Sequence, residues 1–427
     1  MKIRSYKFRI YPTQTQKVLL AKTFGSVRFV YNRILAIKEA AYEKDKKSLS
    51  ISKLDSEIKI LKTKEETKWL REVNSQSLQS SLRNLDAAYT GFFRKTNGFP
   101  KFKSKFDNQR FQNPQRTSVN FEEGKVFIPK FTEGIKTVFH RYFEGKIKTS
   151  TVSRSRTGKY FISFVVEGGG EEPPIQSPKI ESCIGIDLGV KTYATLSSGE
   201  KFENPKFLKN KLKRLKRLSR QHSKKKKGSK NREKSRQKLA RQHERVSNTR
   251  EDFIHKLTSS LVENQDYQSF AIEDLSVTDM IKNGTKRLSQ AIGDCAWRTF
   301  RELLTYKAQR AGKSVLVIGR FEPSSKLCTC GQINQELSLK DRNWVCSCGA
   351  THDRDLLAAK NIRDFAFSRE TTKNDCVRPE RPKLLRKKKT PVEIPVTGSL
   401  KQEVAFMASV HPAEMDLNKT SPKIGKI

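Results

Sequence analysis

Two closely spaced cysteine pairs constrain the fold of this chain more than any other feature. Each pair has the form Cys-x-Cys-Gly, with fifteen residues between the pairs; the cysteines are Cys328, Cys330, Cys346 and Cys348. Four thiolates suffice for one closed, structural Zn²⁺ site, and a glycine after each pair permits a tight turn. The usual ribbon spacing is Cys-x-x-Cys, so each pair is one residue short. We predict a zinc ribbon over 326–350; four buried thiols without metal are the alternative. His352 is close enough in sequence to replace a thiol or to pack behind one.

The remaining cysteines and the N-terminus indicate the compartment. Cys183, Cys295 and Cys376 are scattered, which favours free thiols over disulfides. The N-terminal MKIRSYKFRIYPT has no apolar h-region, and no stretch approaches the ~18 apolar residues of a membrane span. We therefore expect a cytoplasmic protein that does not enter a membrane.

The charge balance points to a polyanionic partner. Lys and Arg number 87 against 45 Asp and Glu, a formal charge of +42. Such an excess repels itself unless a polyanion neutralises it, and nucleic acid is the usual one. A solvated surface or binding to a membrane surface is the alternative, although no basic amphipathic anchor is evident.

Three carboxylates stand where apolar strands end or where the last helix begins. Asp187 lies in CIGIDLGV, Glu273 ends the strand of SFAIEDL, and Asp355 opens the final helix. A carboxylate in such a place is costly unless it is paired or bound to metal. Each alone has a structural explanation: a turn residue, a salt-bridge partner, or a helix N-cap at Asp353 or Asp355.

Together the three acids fit one site. The predicted order is strand, hairpin, helix, strand, helix, strand, helix, which is the order of a ribonuclease H-like α/β core. Acids on adjacent strands and on a final helix converge at one end of that core. Three carboxylates can hold two Mg²⁺ or Mn²⁺ ions about 4 Å apart, one activating water and the other stabilising the leaving 3′ oxygen.

The N-terminal half mixes a helical segment with strands. Residues 1–10 alternate as a strand, and Thr13 with Gln16 fits a capping box. Helical periodicity extends over 13–95. Strands follow over 115–167, including a hairpin that turns near 156–159. The helical part therefore looks inserted into a β domain that begins at residue 1.

Two basic segments are candidate nucleic-acid contacts. GFPKFKSKF, residues 98–106, interleaves aromatic residues with Lys101 and Lys103 and suits phosphate contacts with stacking. An edge strand covered by lysines is the alternative. Lys206–Arg250 contains 20 Lys or Arg against two Glu, and leucines at helical spacing predict one helix. The basic side chains of this helix either form a solvated face or contact nucleic acid. The candidate contacts are Lys213, Arg214, Lys216 and Arg217.

Several of these motifs together resemble TnpB, the transposon-encoded family of RNA-guided nucleases related to type V CRISPR effectors. The resemblance rests on SVRFVYNRIL, GFPKFKSK, GIDLGVKTYAT, AIEDL, SSKLCTCG, CSCGATHDRD and AAKNI. It implies a RuvC-like nuclease domain with an inserted zinc ribbon, and an N-terminal β-barrel with an inserted helical recognition domain. It also implies a guide RNA, cleavage of double-stranded DNA beside a short target-adjacent motif, and a prokaryotic protein that associates with the nucleoid when it is on DNA. We infer no obligate protein partner.

The resemblance assigns residues and boundaries. The acidic triad falls on Asp187, Glu273 and Asp355, with Asp353 in support. Gln79 matches a position near the adjacent-motif duplex, where Gln suits adenine; a solvated helix position is the alternative. The expected parts are a barrel at 1–12 and 96–174, a helical domain at 13–95, a nuclease domain at 175–325 and 351–370, the ribbon at 326–350 and a flexible tail at 371–427. Within the barrel, GGGEEPP at 168–174 is a linker.

Two other functions would use the same basic residues or the same acids. A guided repressor without nuclease activity would use the same basic faces, but the intact triad argues against it. A transposase acting without RNA could use the same metals for strand transfer. The long basic helix and the large N-terminal half favour holding a heteroduplex by its backbone.

Overall fold

The computed structural model describes residues 3–46, 49–168, 173–338 and 341–368. The predicted tail at 371–427 and Cys376 lie outside these residues, as does most of the predicted linker. The chain divides into two units. The first holds the described residues up to Ser155 together with Lys159–Gly168, and the second holds Arg156–Gly158 and the described residues from 173 onward. Both mix helices and strands, so the α/β class is confirmed.

A sheet and a set of helices form the first unit. Its helices are α1 (Gln14–Asp45), α2 (Ile51–Thr63), a 3₁₀ helix (Glu65–Glu72) and α3 (Ser75–Phe93). Its strands are β1 (Ile3–Tyr11), β2 (Gln109–Asn113), β3 (Ser118–Asn120), β4 (Lys125–Ile128), β5 (Phe131–Val138), β6 (Lys146–Arg154) and β7 (Tyr160–Glu167). They pair in the order β2-β6-β7-β1-β5-β4-β3.

The first strand makes the helical segment an insertion. β1 pairs antiparallel with both β7 and β5, so it occupies the middle of the sheet although it begins the chain. The predicted capping box is confirmed at the start of α1, where Thr13 and Gln16 exchange hydrogen bonds between side chain and backbone. The predicted hairpin is confirmed in β6 and β7. Closure of the sheet into a barrel stays a prediction.

A second sheet organises the second unit. Its strands are β8 (Cys183–Leu188), β9 (Thr192–Leu196), β10 (Lys201–Glu203), β11 (Ser269–Glu273) and β12 (Ser314–Ile318), in the order β10-β9-β8-β11-β12. β11 is parallel to both β8 and β12, and the other pairs are antiparallel. A separate hairpin joins β13 (Asn343–Val345) to β14 (Thr351–Asp353).

Helices cover both faces of this sheet. They are α4 (Phe207–Ser223), α5 (Lys230–Glu263), α6 (Val277–Asn283), α7 (Lys286–Cys295), α8 (Trp297–Arg310) and α9 (Arg354–Ser368). One face packs against α5, α7 and α8 through a large apolar core. The other face packs against α9 around Ile362 and Phe365. The assignment of this unit to the RuvC class stays a prediction.

Two local predictions are corrected. The basic region is not one helix, because the chain turns between α4 and α5 at Gly228, whose φ is +84°. Residues 98–106 contain no strand, so the edge-strand alternative is wrong. Phe99 and Phe102 alternate there with lysines, but the preceding turn after α3 leads into irregular backbone that joins neither described sheet.

Candidate functional site

Strand alternation brings two of the predicted acids to one face of the second sheet. In β8, Ile184 and Ile186 lie in the core on the α5 and α8 face, so Asp187 belongs to the opposite face. In β11, Phe270 and Ile272 also lie in the core on the α5 and α8 face, so Glu273 belongs to the face that packs against α9. Ile186 is the register partner of Ile272 in this parallel pair. The two carboxylates therefore stand side by side at the carboxyl ends of adjacent strands.

Helix α9 brings the third acid to the same edge. Asp353 accepts hydrogen bonds from the backbone N–H groups of Asp355 and Leu356 at 3.0 and 3.1 Å, so it caps the helix. Asp355 lies in the first turn of α9. Asp353 also accepts a 2.6 Å hydrogen bond from the Lys201 ammonium. Capping thus falls to Asp353 rather than to Asp355.

A glycine allows the strand and the helix to approach closely. A Cβ atom added to Gly185 would lie 2.0 Å from the carbonyl oxygen of Ala359 and 2.9 Å from the backbone nitrogen of Arg363. Backbone atoms cannot move aside cheaply, so β8 and α9 need glycine here. The contact fixes the spacing between the elements that carry Asp187 and Asp355.

We expect Gly185→Ala to lower the free energy of unfolding by on the order of 3 kcal/mol, because overpacking against backbone must separate β8 from α9. Thermal unfolding followed by circular dichroism measures this. The control is Gly293→Ala in α7, where an added Cβ meets nothing within 4 Å; alanine there should be neutral or stabilise by up to about 1 kcal/mol. Equal melting temperatures for the two variants would contradict the close packing.

Burial and neighbouring charges shift the pKa of several acids at this edge of the sheet. Burial, together with repulsion from Asp355 and Glu273, raises the pKa of Asp187 to about 7. Burial and then repulsion from Asp274 raise the pKa of Glu273 to about 7. Hydrogen bonds from Lys201 and the backbone of Leu356 outweigh burial at Asp353 and lower its pKa. Burial and neighbouring acids oppose ionisation of Asp187 and Glu273, so a bound cation would favour their charged forms, and their hard oxygen donors fit a divalent ion such as Mg²⁺.

One arginine contacting the third acid was missed from the sequence. The Nη1 atom of Arg342 lies 3.0 and 3.2 Å from the two carboxylate oxygens of Asp355. Arg342 immediately precedes β13, and its backbone carbonyl accepts a 2.8 Å hydrogen bond from the Arg354 N–H. Only the pairing of β13 with β14 brings this residue to the acid, and the sequence carried no signal for that contact.

A second network behind Glu273 was also missed. Asp274 accepts hydrogen bonds from Arg301 at 2.7 Å and from Arg320 at 2.8 Å. Although burial opposes it, these two guanidinium groups lower the pKa of Asp274. The network fixes the end of β11 to α8 and to the segment that follows β12.

The four cysteines meet as the spacing predicted. Their sulfur atoms all lie within 4.8 Å of one another, which is close enough for all four to hold one metal ion. Cys328 and Cys348 are 3.7 Å apart, as are Cys330 and Cys346. A tetrahedral site with Zn–S bonds near 2.3 Å needs sulfur atoms about 3.8 Å apart. The cluster can therefore hold one zinc ion despite the short spacing.

The two halves of the cluster repeat one turn. In the first, the Gly331 N–H donates to Cys328 O at 3.0 Å; in the second, the Gly349 N–H donates to Cys346 O at 2.9 Å. The φ angles of these glycines are +89° and +87°, a conformation that favours glycine. His352 is not one of the four, but its Nε2 lies 3.0 Å from the Cys328 sulfur. It is thus placed to support the site from outside.

The candidate nucleic-acid residues differ in exposure. Lys213, Arg214, Lys216 and Arg217 are all exposed on α4, while Leu215 between them is buried. They line a shallow groove along that helix. In the first unit, Lys101 is exposed and Gln79 is half-buried on α3.

Lys103 is held more tightly than a surface lysine. The Asn32 side chain accepts from the Lys103 N–H and donates to its carbonyl oxygen, both at 2.8 Å. The Lys103 ammonium lies 3.4 Å from the centre of the Tyr31 ring. Burial lowers its pKa to about 8. Asn32 therefore anchors the segment 98–106 to α1, which the sequence did not show.

Family models match three stretches of the chain. Residues 163–284 match OrfB_IS605, described as "Probable transposase", and residues 297–362 match a "Cas12f1-like, TNB domain". The second stretch contains the cysteine cluster and Asp355. Residues 1–47 match a "Helix-turn-helix domain", although the described residues there form β1 and the single helix α1.

Relatives cover most of the chain. A protein of Streptomyces pristinaespiralis named "Putative RNA-guided DNA endonuclease" is 38% identical over 88% of this chain and 92% of its own length. InsQ of Escherichia coli K12, with the same description, is 34% identical over 84% of this chain and 92% of its own length. "TnpB-like protein L79" of Acanthamoeba polyphaga mimivirus is 24% identical over 84% of this chain and 72% of its own length. The chain belongs to the TnpB family.

A solved structure shares the fold. The protein chain of a Cas12f1–sgRNA–target DNA complex aligns with a TM-score of 0.51 and 14% identity, over 85% of this chain and 98% of that one. The likeness supports the α/β architecture of the described residues. None of the helices described here is long and apolar enough to cross a membrane.

Proposed function

We propose that this protein is an RNA-guided DNA endonuclease of a transposable element, which cuts double-stranded DNA that pairs with its guide RNA beside a short adjacent motif. The observation that carries the proposal is the convergence of Asp187, Glu273 and Asp355 at one edge of the second sheet. Relatives named as such endonucleases support it. The order of strands in this sheet and the helix that carries the third acid support a RuvC-like core.

The three carboxylates would hold two Mg²⁺ or Mn²⁺ ions. When bound, such ions supply an activated water and stabilise charge on the leaving oxygen. Asp187 and Glu273 are set by β8 and β11, and Asp355 is set by α9 and oriented by Arg342. Asp353 keeps the first turn of α9 closed. The protein thus contributes fixed oxygen donors, and Arg342 brings positive charge beside the place where a phosphate would lie.

The basic groove of α4 would contact the nucleic-acid backbone. We expect Lys213→Ala with Lys216→Ala to weaken binding of guide RNA or target and to reduce the slope of log K against log salt by about 2, because two phosphate contacts are lost. Filter binding of the native RNA and of the matched duplex across a salt series measures this. The control pair is Lys53→Ala with Lys59→Ala, two exposed lysines on α2. Identical slopes for the α4 pair and the wild type would contradict the assignment.

The function is tested on the purified complex. The chain is co-expressed with DNA flanking its gene, and the RNA that copurifies is sequenced. A plasmid with the matching target is then incubated with Mg²⁺, with and without ribonuclease pretreatment. The proposal predicts linear plasmid that disappears after ribonuclease. Intact plasmid with RNA and target bound would favour the guided repressor, and RNA-independent strand joining would favour the transposase.

A further inference from the structure

The most exposed aromatic side chain of the described residues follows β12, the strand that pairs with the strand of Glu273. Phe321 is 94% exposed, more than any other large apolar residue of the described part of the chain. It follows β12, whose last residue, Ile318, is the register partner of Glu273. Phe321 is thus three residues beyond the position paired with a proposed catalytic acid.

The segment that carries Phe321 is held at both ends. On one side, Arg320 donates to the Asp274 carboxylate at 2.8 Å and to the Asp274 carbonyl at 3.2 Å. On the other, the Asn361 amide of α9 donates to the carbonyl oxygens of Ser324 and Leu327, both at 2.7 Å. Asp274 directly follows Glu273 at the end of β11, and Asn361 lies on α9, the helix that carries Asp355.

The surroundings favour a nucleic acid as the partner of this ring. Arg320 and Arg301 are both partly exposed and flank the same strand end. An exposed ring with neighbouring guanidinium groups is the combination that binds unpaired nucleotides, since every base offers a face for stacking and every phosphate a charge. A duplex offers no free base faces except at its ends. Under the proposed function, the nucleic acid next to the carboxylates is the strand that is cut.

We propose that Phe321 stacks on one unpaired base of the DNA strand that enters the carboxylate site, and so positions that strand for cutting. The inference rests on the proposed endonuclease function. It makes Phe321 a substrate-positioning residue that holds a base of the strand, while the carboxylates act on the phosphodiester.

The test pairs protein variants with modified DNA. Matched targets carry a single abasic residue at successive positions of the cut strand, and the purified RNA complex cuts each one under single-turnover conditions. With the wild type, we expect one position where base removal slows cutting by about tenfold, the scale of one lost stacking contact. Phe321→Ala should slow cutting of intact DNA by a similar factor and should lose sensitivity at that position. Phe321→Trp should restore both rate and sensitivity.

Controls separate stacking from folding and from the endonuclease function itself. Ile175→Ala removes another exposed apolar side chain of the second unit, 58% exposed, and should leave the abasic profile unchanged. A 5-iodouracil placed at the sensitive position should crosslink to Phe321 in a complex carrying Asp187→Asn. The inference is overturned if Phe321→Ala keeps the wild-type abasic profile, or if its loss is not recovered by Phe321→Trp. If the wild type cuts no matched target, the proposed endonuclease function is wrong, and the inference about Phe321 is wrong with it.

Discussion

Asp187→Asn should abolish DNA cutting while the complex still binds guide RNA and matched target. Asparagine keeps the size of the side chain but removes the charge that a divalent ion requires. We expect a loss in cutting rate of about a thousandfold or more, as for removal of a central catalytic group. Single-turnover cleavage and gel-shift binding measure the two effects on one preparation. Asp266→Asn, an exposed acid of the same unit, is the control and should cut normally.

The same substitution should raise stability in metal-free buffer. The pKa of Asp187 rises from 3.8 to about 7 in the folded protein. A raised carboxylate pKa gives stability that is fully present below pH 3.8 and is lost as the pH rises through 7. Asparagine never ionises, so the variant should melt higher than the wild type at pH 8 in EDTA and equally near pH 4. Mg²⁺ should raise the melting temperature of the wild type more than that of the variant. A lower melting temperature for the variant at pH 8 would contradict the charge repulsion at this site.

Cys346→Ser should remove the zinc and most of the cutting activity. The ribbon leads directly into the site, because β14 ends at Asp353 and the Arg342 guanidinium contacts Asp355. Zinc supplies much of the folding free energy of such small modules, about 10–16 kcal/mol in zinc-finger peptides. We expect zinc content to fall from about one to zero per chain and cutting to fall by about a hundredfold. Elemental analysis and the cleavage assay measure these.

Two comparisons make the zinc prediction specific. Cys328→Ser removes a ligand from the other half of the cluster and should reproduce the loss. Cys183→Ala changes a free, buried cysteine in β8 and should retain the zinc. The core of the second sheet should still unfold cooperatively in both ligand variants. If a zinc-free Cys346→Ser protein cut DNA at the wild-type rate, the proposed dependence of cutting on the zinc ribbon would be wrong.

The parts of the site that depend on local pattern could be predicted from the sequence. Alternation of apolar residues in β8 and β11 fixes which face Asp187 and Glu273 occupy, and each strand is short enough for its end to be evident. The matched cysteine pairs, each followed by glycine, predicted four converging thiols. The capping box of α1 depends on two residues three apart. In each case the physical cause lies within a few residues of the chain.

The parts that depend on distant contacts could not be predicted. Arg342 reaches Asp355 only because the ribbon hairpin folds back, and Arg301 reaches Asp274 from another helix. Asn32 anchors Lys103 across 71 residues. Two errors were local. The turn around Gly228 was present in the sequence, but leucine spacing and charge suggested an uninterrupted helix. The alternation of aromatic and basic residues over 98–106 allowed an edge strand that the structure does not contain.

The most direct measurement combines guide, acid and metal in one experiment. The purified RNA complex is incubated with a plasmid library in which the matched target stands beside randomised flanking bases, and surviving plasmids are sequenced. Wild-type protein with Mg²⁺ should deplete one subset of flanks, and Asp187→Asn protein or EDTA should deplete none. Survival of every flank with wild-type protein, while RNA and target are bound, would contradict the assignment of Asp187, Glu273 and Asp355 as a DNA-cutting site.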